Sequence, residues 1–170
     1  TIGHALAYCH AVEALAGCRV PARAQALRAV ALELERLANH TGDLGALAGD
    51  VGFLPTASFC GRLRGDFLNM SALLCGSRFG RGFVRPGGVA FDLDAALLAD
   101  LRGRLDATFR DVGGAAKLLW ETPSVMARFE STGTVSPELA VELGLVGPAA
   151  RACGRELDVR RDFPSGIYRF

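Results

Sequence analysis

The sequence has almost no lysine. Among its 170 residues, lysine and arginine together number 19, and Lys117 is the single lysine. The 18 acidic residues reduce the formal net charge to +1. Proteins that bind nucleic acid through its phosphates usually carry a marked excess of positive charge. We therefore expect no nucleic-acid partner.

Closely spaced cysteine pairs are also missing. Zinc and iron–sulfur sites that are complete in one chain usually hold their metal through such pairs, and an odd cysteine count argues against a disulfide framework. The sequence therefore predicts reduced thiols and no complete metal site within this chain. The five cysteines are Cys9, Cys18, Cys60, Cys75 and Cys153.

Long apolar runs and the common catalytic motifs are absent as well. No run approaches the ~20 apolar residues that cross a bilayer, and the sequence contains no P-loop, dinucleotide fingerprint, H-E-x-x-H or G-x-S-x-G. Half of the residues are hydrophobic, enough for a buried core. We expect a single domain over residues 1–170, with a helical core over about 1–119 and a tail of short helices and loops over about 120–170.

Helical spacing of apolar residues predicts a mainly α fold, a multihelical bundle around one long central helix. The first helix covers residues 1–16 and ends at Gly17. The long helix runs over about 21–48, the third covers 55–75, and the fourth runs from Asp92 or Asp94 to residue 119. A short extended segment with a Gly-Gly turn is expected at 82–89.

The third and fourth helices each carry an apolar stripe that we expect to be buried. The stripe of the third helix is Phe59, Leu63, Phe67, Met70 and Leu74. The stripe of the fourth is Leu97, Leu101, Leu105, Phe109 and Val112. After these helices, Thr122-Pro123 predicts a short turn and Ser136-Pro137-Glu138 predicts a helix start. Repeated glycine and proline beyond it predict an irregular C-terminal tail.

The residues of the long helix fall on three faces, which we call lanes. One lane consists of large apolar residues, from Leu27 to Leu44, and a second consists of small residues, from Ala24 to Gly49. A charged third lane is usually solvated. Because both other lanes can pack, we favour a buried charged lane with a network of Arg36, His40 and Asp43, and with a proton path as its function. The charged lane is Glu33, Arg36, His40, Asp43 and Asp50.

Several short blocks, in order along the whole chain, resemble the superfamily of [NiFe]-hydrogenase large subunits and the quinone-site subunit of respiratory complex I. In the hydrogenase motif C-x-x-C-x-x-x-H, His4 would take the place of the histidine, and the two cysteines of the motif would lie upstream of Thr1. The resemblance implies an internal fragment of a large subunit. The blocks are Thr1-Ile2-Gly3-His4, LERLANH at 34–40, GSRF at 76–79, VRPGGV at 84–89 and Asp158-Val159-Arg160.

The resemblance implies a redox enzyme with an iron–sulfur small subunit, which holds a [4Fe-4S] cluster, and with membrane-arm subunits. In the hydrogenase branch, typified by energy-converting, formate-hydrogenlyase-like enzymes, electrons reach protons at a [NiFe] centre. In the complex I branch, an NADH dehydrogenase with NAD binding, a quinone takes the place of the metal. A third alternative is a non-catalytic assembly or scaffold relative. Complex I relatives carry a histidine where this chain has Gly80, so we favour the hydrogenase branch.

The resemblance also assigns residues. His4, His40 and Asp50 are expected to line a proton path or the wall of the active-site cavity, and none of them is expected to be a metal ligand. Arg85 is expected to face the cluster-bearing partner, and Asp158 with Arg160 to form a structural pair. We expect the intact protein on the cytoplasmic face of the cell membrane, held there through its complex. The isolated chain is expected to be inactive and to self-associate.

Overall fold

The computed structural model describes residues 1–169, and the predicted mainly α architecture is confirmed. Four long helices are present: α1 (Ile2–Ala16), α2 (Ala22–Asp50), α3 (Leu54–Cys75) and α4 (Ala95–Trp120). Between α3 and α4 lies an antiparallel hairpin of β1 (Val84–Arg85) and β2 (Gly88–Val89). Short helices follow: α5 (Pro123–Phe129), α6 (Pro137–Glu142), α7 (Gly147–Ala152), α8 (Val159–Asp162) and a 3₁₀ turn (Gly166–Arg169).

The chain divides into two compact units. The first is Thr1–Met126, which contains the four long helices and the hairpin, and the second begins at Ala127. In the second unit, the Ser136 hydroxyl accepts a hydrogen bond from the Leu139 amide at 3.2 Å and caps α6, so the predicted helix start is confirmed.

Local signals set the ends of the long helices. Gly17 and Gly76 close α1 and α3 in the left-handed conformation, as their sequences predict. The Asp94 carboxylate accepts a hydrogen bond from the Leu97 amide at 2.7 Å, so Asp94 rather than Asp92 is the N-cap of α4. The long helix α2 continues through Gly49 and ends at Asp50, two residues beyond its predicted end.

Two predicted lanes of α2 supply the core of the first unit. Except for Arg28 and Ala48, its buried residues belong to the large apolar lane or the small lane, and four of them pack with side chains of α1 and α3. Burying such side chains contributes about 25 cal/mol per Å² of apolar surface, so these two lanes are the main attachment of α2. The buried set is Ala24, Leu27, Ala31, Leu34, Ala38, Thr41 and Ala48, with Arg28 as its one charged member.

Two aromatic residues are more exposed than predicted. Phe59 is 36 % exposed. The Arg62 guanidinium lies over the Phe59 ring, with Cζ 4.8 Å from the ring centroid. Phe109 is 65 % exposed. The buried residues of α4 are Leu101, Thr108, Ala115 and Leu119, and Phe109 is not among them. The other predicted residues are buried in α3 and buried or half-buried in α4.

Two smaller predictions also need correction. Thr122-Pro123 does not make an isolated turn, because Pro123 occupies the first position of α5. The tight turn of the hairpin is formed by Pro86 and Gly87, while Gly88 already belongs to β2 and pairs with Arg85. Within residues 1–169, no helix combines the length and the hydropathy that crossing a membrane requires.

Candidate functional site

A groove of about 470 Å³ opens in the first unit, where α1 begins against α2 and α3. His4 reaches it from α1 and Asn39 from α2, while Arg64 of α3 and Arg78 from the following loop contribute guanidinium groups. The groove therefore combines hydrogen-bonding side chains with apolar walls. Those walls are Ile2, Ala7, Ala38, Leu68 and Phe79.

Glycines leave room for the two arginine side chains. A β-carbon at position 42 would lie 3.0 Å from Cδ of Arg64, and one at position 65 would lie 3.6 Å from Nη2 of Arg78. Neither guanidinium has an ion-pair partner among residues 1–169. The groove therefore carries unpaired positive charge and several hydrogen-bond donors.

The start of α1 is held by a side chain of α2. The Glu35 carboxylate accepts hydrogen bonds from the Ile2 and Gly3 amides, each at 2.8 Å. Burial raises the pKa of Glu35, and the hydrogen bonds from the Gly3 and Ile2 amides lower it. Through these two hydrogen bonds Glu35 fixes the first turn of α1, which carries His4.

Of the three residues predicted to line a proton path or cavity wall, the structure brings His4 alone into the groove. His40 follows Asn39 but lies outside the groove, with a half-exposed side chain. Asp50 is the last residue of α2. Eleven residues separate it from Asn39, a rise of ~16 Å along the helix. A role for these residues in proton transfer stays a prediction.

The prediction that the charged lane of α2 is buried is wrong for the described chain. The side chains of His40 and Asp43 are 46 % and 77 % exposed, with Nδ1 and Oδ2 4.0 Å apart. Arg36 pairs with Glu33 at 3.1 Å instead of joining a network with His40 and Asp43. Because α2 packs through its other two lanes, the charged lane faces away from α1 and α3.

Arg85, the residue predicted to face a partner, is the last residue of β1. Its side chain is exposed, and its Nε donates to the Gly82 carbonyl at 3.3 Å. Its backbone carbonyl accepts a hydrogen bond from Nη2 of Arg28 at 2.7 Å. The main chain of Arg85 is therefore held from α2, while its guanidinium stands at the surface.

That contact belongs to a buried ion pair which the sequence did not reveal. Nη2 and Nη1 of Arg28 donate to the two carboxylate oxygens of Glu13 at 2.6 and 3.1 Å. Nε of Arg28 donates to the Gly88 carbonyl at 3.0 Å, and the Gly87 amide donates to Glu13 at 2.8 Å. We call these two side chains the Glu13–Arg28 clamp.

The clamp is almost wholly inside the protein. Its side chains are 3 % (Arg28) and 7 % (Glu13) exposed, and no buried side-chain nitrogen or oxygen in the described part of the chain lacks a hydrogen-bond partner. The hydrogen bond from Arg28 lowers the pKa of Glu13, burial raises it, the Gly87 amide lowers it again, and the net pKa lies below the ordinary value. A glutamate within the otherwise apolar stripe of α1 was the available signal. That buried stripe is Ile2, Leu6, Cys9 and Glu13.

In the second unit, Asp158 and Arg160 form an ion pair. The Arg160 side chain donates from Nη2 to Oδ2 at 2.9 Å and from Nε to Oδ1 at 3.1 Å, and the Arg160 amide also reaches Oδ1 at 2.9 Å. These contacts hold the pKa of Asp158 well below its ordinary value. The carboxylate also caps α8.

Within the described chain, no three or more histidine, cysteine, aspartate or glutamate side chains are grouped so that they could hold a metal ion. All five cysteines are free thiols. Burial raises the pKa of Cys9 and Cys60, which disfavours the thiolate that binds metals.

Comparison with known proteins finds a matching family model and several similar proteins. A family model described as the 49 kDa subunit of respiratory-chain NADH dehydrogenase matches residues 50–170. A subunit of the NADH-quinone oxidoreductase of Clostridium beijerinckii is 37 % identical over 164 residues, which cover 96 % of this chain and 44 % of that protein. Subunit 4 of the NADH-quinone oxidoreductase of Thermus thermophilus is 35 % identical over 168 residues, 99 % of this chain and 41 % of that protein.

A solved structure shows the same fold. It is that of the membrane-bound sulfane sulfur reductase, an archaeal respiratory membrane complex. One chain of it superposes on this protein with a TM-score of 0.85 and 27 % sequence identity, over 92 % of this chain and 42 % of that one. The chain thus spans about two fifths of the length of the relatives that it matches.

Proposed function

The chain belongs to the family of the 49 kDa subunit of respiratory-chain NADH dehydrogenase, and we propose that it forms the helical part of the large subunit of a quinone-linked oxidoreductase. The superfamily resemblance seen in the sequence is confirmed. One observation carries the proposal: relatives named as NADH-quinone oxidoreductase subunits align over 96–99 % of the chain at 35–37 % identity.

The preference for the hydrogenase branch is not supported, and the complex I alternative fits the relatives better. That preference relied on Gly80, where complex I relatives carry a histidine. Gly80 has φ +65°, and a β-carbon there would lie 2.3 Å from Cδ1 of Ile2. Packing against Ile2 thus explains the glycine, and the residue does not discriminate between the branches. We propose neither a nickel centre nor an NAD site in this chain.

The groove beside His4 suits a quinone head group. Such a ring is flat and apolar, with two carbonyl oxygens that accept hydrogen bonds. Leu68 and Phe79 would contact the ring, and Arg64, Arg78 and Asn39 are donors for its oxygens. A bound quinone supplies an acceptor for two electrons and two protons. His4 would hold a proton at the edge of the groove.

His40 and Asp50 would serve proton supply from outside the groove. They lie ten residues apart on α2, a rise of ~15 Å, so a proton cannot pass directly between their side chains. Both side chains are exposed, and water can connect them. We propose that the charged lane of α2 faces a hydrated part of the quinone cavity in the complete subunit.

The partners are part of the same proposal. An iron–sulfur subunit with a [4Fe-4S] cluster would deliver electrons, and membrane-arm subunits would hold the large subunit at the cytoplasmic face of the membrane. Arg85, with its exposed guanidinium, is the residue that we propose contacts the iron–sulfur subunit. Arginine is enriched in protein interfaces because its planar group binds carboxylates in pairs of hydrogen bonds.

The test is a set of parallel assays on the purified complex that contains the full-length subunit. Electrons are supplied to the complex in each assay. We measure four quantities: reduction of a short-chain quinone, hydrogen evolution, sulfide release from a polysulfide, and nickel content. We expect quinone reduction and less than stoichiometric nickel. One nickel per complex with hydrogen evolution would establish the hydrogenase branch. Sulfide release without quinone reduction would establish an activity like that of the archaeal complex, and no turnover in any assay would favour a scaffold.

A further inference from the structure

We propose that the Glu13–Arg28 clamp is a positioning device that holds the hairpin turn at 85–88 in one conformation and so sets where the Arg85 guanidinium stands. The inference rests on the proposed partner contact of Arg85 and extends it to two residues that contact no partner themselves. The observation that carries it is the set of three hydrogen bonds from the clamp to the main chain of Arg85, Gly87 and Gly88.

The hairpin is too short to hold itself. Each strand has two residues, with Val84 opposite Val89 and Arg85 opposite Gly88. Isolated two-stranded hairpins are at best marginally stable in water. The clamp accepts from the Gly87 amide and donates to the carbonyls of Arg85 and Gly88, so it binds three main-chain groups of the four-residue turn.

The conformation of the turn is also specific. Gly87 has φ +82°, and with Pro86 before it this matches a type II turn, which requires glycine at its third position. Gly88 lies against Ala24 of α2, and a β-carbon at position 87 would come within 3.7 Å of Sγ of Cys18. The turn therefore rests on the end of α1 and the start of α2, the same two helices that the clamp joins.

Stability alone does not account for an ion pair at this place. Both charges are removed from water, which is costly, and apolar replacement of a buried ion pair often leaves stability unchanged or higher. Apolar side chains cannot replace the three hydrogen bonds to the turn. What apolar side chains cannot supply is therefore the set of hydrogen bonds to residues 85–88, and these bonds fix the backbone conformation of Arg85.

The experiment compares variants of the full-length subunit in its complex. Arg28→Met leaves Glu13 buried without its partner, and Glu13→Met with Arg28→Met removes both charges. Arg28→Lys keeps the charge but loses the planar fork. Arg85→Ala removes the presented side chain. Arg23→Met is the matched control, because Arg23 also joins α2 to the chain after the hairpin, through Asp92 and the Leu93 carbonyl.

Three quantities are measured: the thermal midpoint, hydrogen exchange of the Gly87 amide, and the iron–sulfur subunit recovered with the large subunit. For the double variant we expect a midpoint above that of Arg28→Met, exchange at Gly87 faster by roughly tenfold or more, and recovery as low as with Arg85→Ala. Arg28→Lys should raise exchange at Gly87 by less, because Glu13 still accepts from that amide while the Arg85 and Gly88 carbonyls lose the planar fork. Arg23→Met should leave exchange at Gly87 and recovery unchanged.

The outcomes separate the two proposals. If Gly87 stays slowly exchanging in the double variant, the clamp does not position the turn. Should the double variant not fold, full recovery of the iron–sulfur subunit with Arg28→Lys overturns the inference in the same way. If recovery falls only in proportion to the thermal midpoint across all variants, the role of the pair is merely structural and the inference is overturned. If Arg85→Ala recovers the iron–sulfur subunit fully, the partner role of Arg85 fails, while exchange at Gly87 still tests the clamp.

Discussion

Gly45 of α2 lies so close to Cys60 of α3 that a β-carbon at position 45 would stand 2.9 Å from Cβ of Cys60. The Ala57 carbonyl oxygen would be 3.4 Å away on the same side. Cys60 is fully buried, and neither the β-carbon nor the carbonyl can rotate away. The close packing of the two long helices therefore depends on glycine at this position.

Gly45→Ala should lower the free energy of unfolding by about 1–3 kcal/mol, because the helices must separate to admit a methyl group. Gly49→Ala is the matched control, since Gly49 is an exposed residue of the same helix and a β-carbon there would have no atom within 4 Å. That change should raise stability by about 0.5–1 kcal/mol, through higher helix propensity. Urea unfolding followed by circular dichroism measures both, and equal effects would contradict the packing argument.

Gly80 and Gly82 provide a second matched pair. Both have positive φ, +65° and +74°, but only a β-carbon at position 80 would collide with Ile2. Gly80→Ala should therefore destabilise by about 1–3 kcal/mol more than Gly82→Ala, which measures the backbone strain alone. Adding Ile2→Ala to Gly80→Ala should remove the collision and leave the strain. Thermal unfolding of the wild type and these three variants tests the prediction. Equal midpoints for Gly80→Ala and Gly82→Ala would contradict it.

Glu13 makes stability depend on pH. Arg28 and the Gly87 amide hold its pKa below the ordinary value of 4.5 in the folded protein. A carboxyl with a lowered pKa stabilises the fold fully above the pKa of the unfolded chain, and this contribution is lost as the pH falls through the folded pKa. Stability from this residue should therefore decline below about pH 4.5. Glu13→Gln should flatten that decline and lower the midpoint at pH 7, whereas the exposed control Asp106→Asn should keep the wild-type slope.

The two histidines of α1, His4 and His10, are expected to contribute differently to quinone reduction. His4 lines the groove, whereas His10 lies on the same helix and outside it. His4→Gln should reduce quinone reduction by the complex by roughly tenfold or more if its imidazole holds a transferred proton. His10→Gln should leave the rate near wild type. Steady-state kinetics with a short-chain quinone distinguish a loss in kcat from a rise in KM, and equal rates for the two variants would remove His4 from the proposed site.

Local features of the fold were predictable from sequence, and relations between distant segments were not. Gly17, Gly76 and Asp94 act within one turn of the helix that they end or begin, so sequence alone identifies them. The exposure of Phe109 depends on which face of α4 meets α3. Such a choice is made by packing in three dimensions, which periodicity along one helix does not determine.

The candidate site shows the same division. The resemblance predicts His4 at the active-site cavity. His4 lines the groove, and its role there stays a prediction. The charged lane of α2 was predicted to be buried because its two other lanes could pack, yet Asp43 is 77 % exposed. Glu13 and Arg28 lie on different helices, pair directly with each other, and both bind a turn 60 or more residues later in the sequence, a set of contacts that no local pattern encodes.

In our proposal, this helical bundle forms part of a quinone cavity that receives protons from the charged lane ending at Asp50. The most direct test is the rate of quinone reduction by the intact complex carrying Asp50→Asn, beside the exposed control Asp106→Asn. We predict that Asp50→Asn slows turnover by roughly tenfold or more while assembly remains normal, and that Asp106→Asn matches wild type. A rate unchanged by Asp50→Asn in a fully assembled complex would contradict the claim.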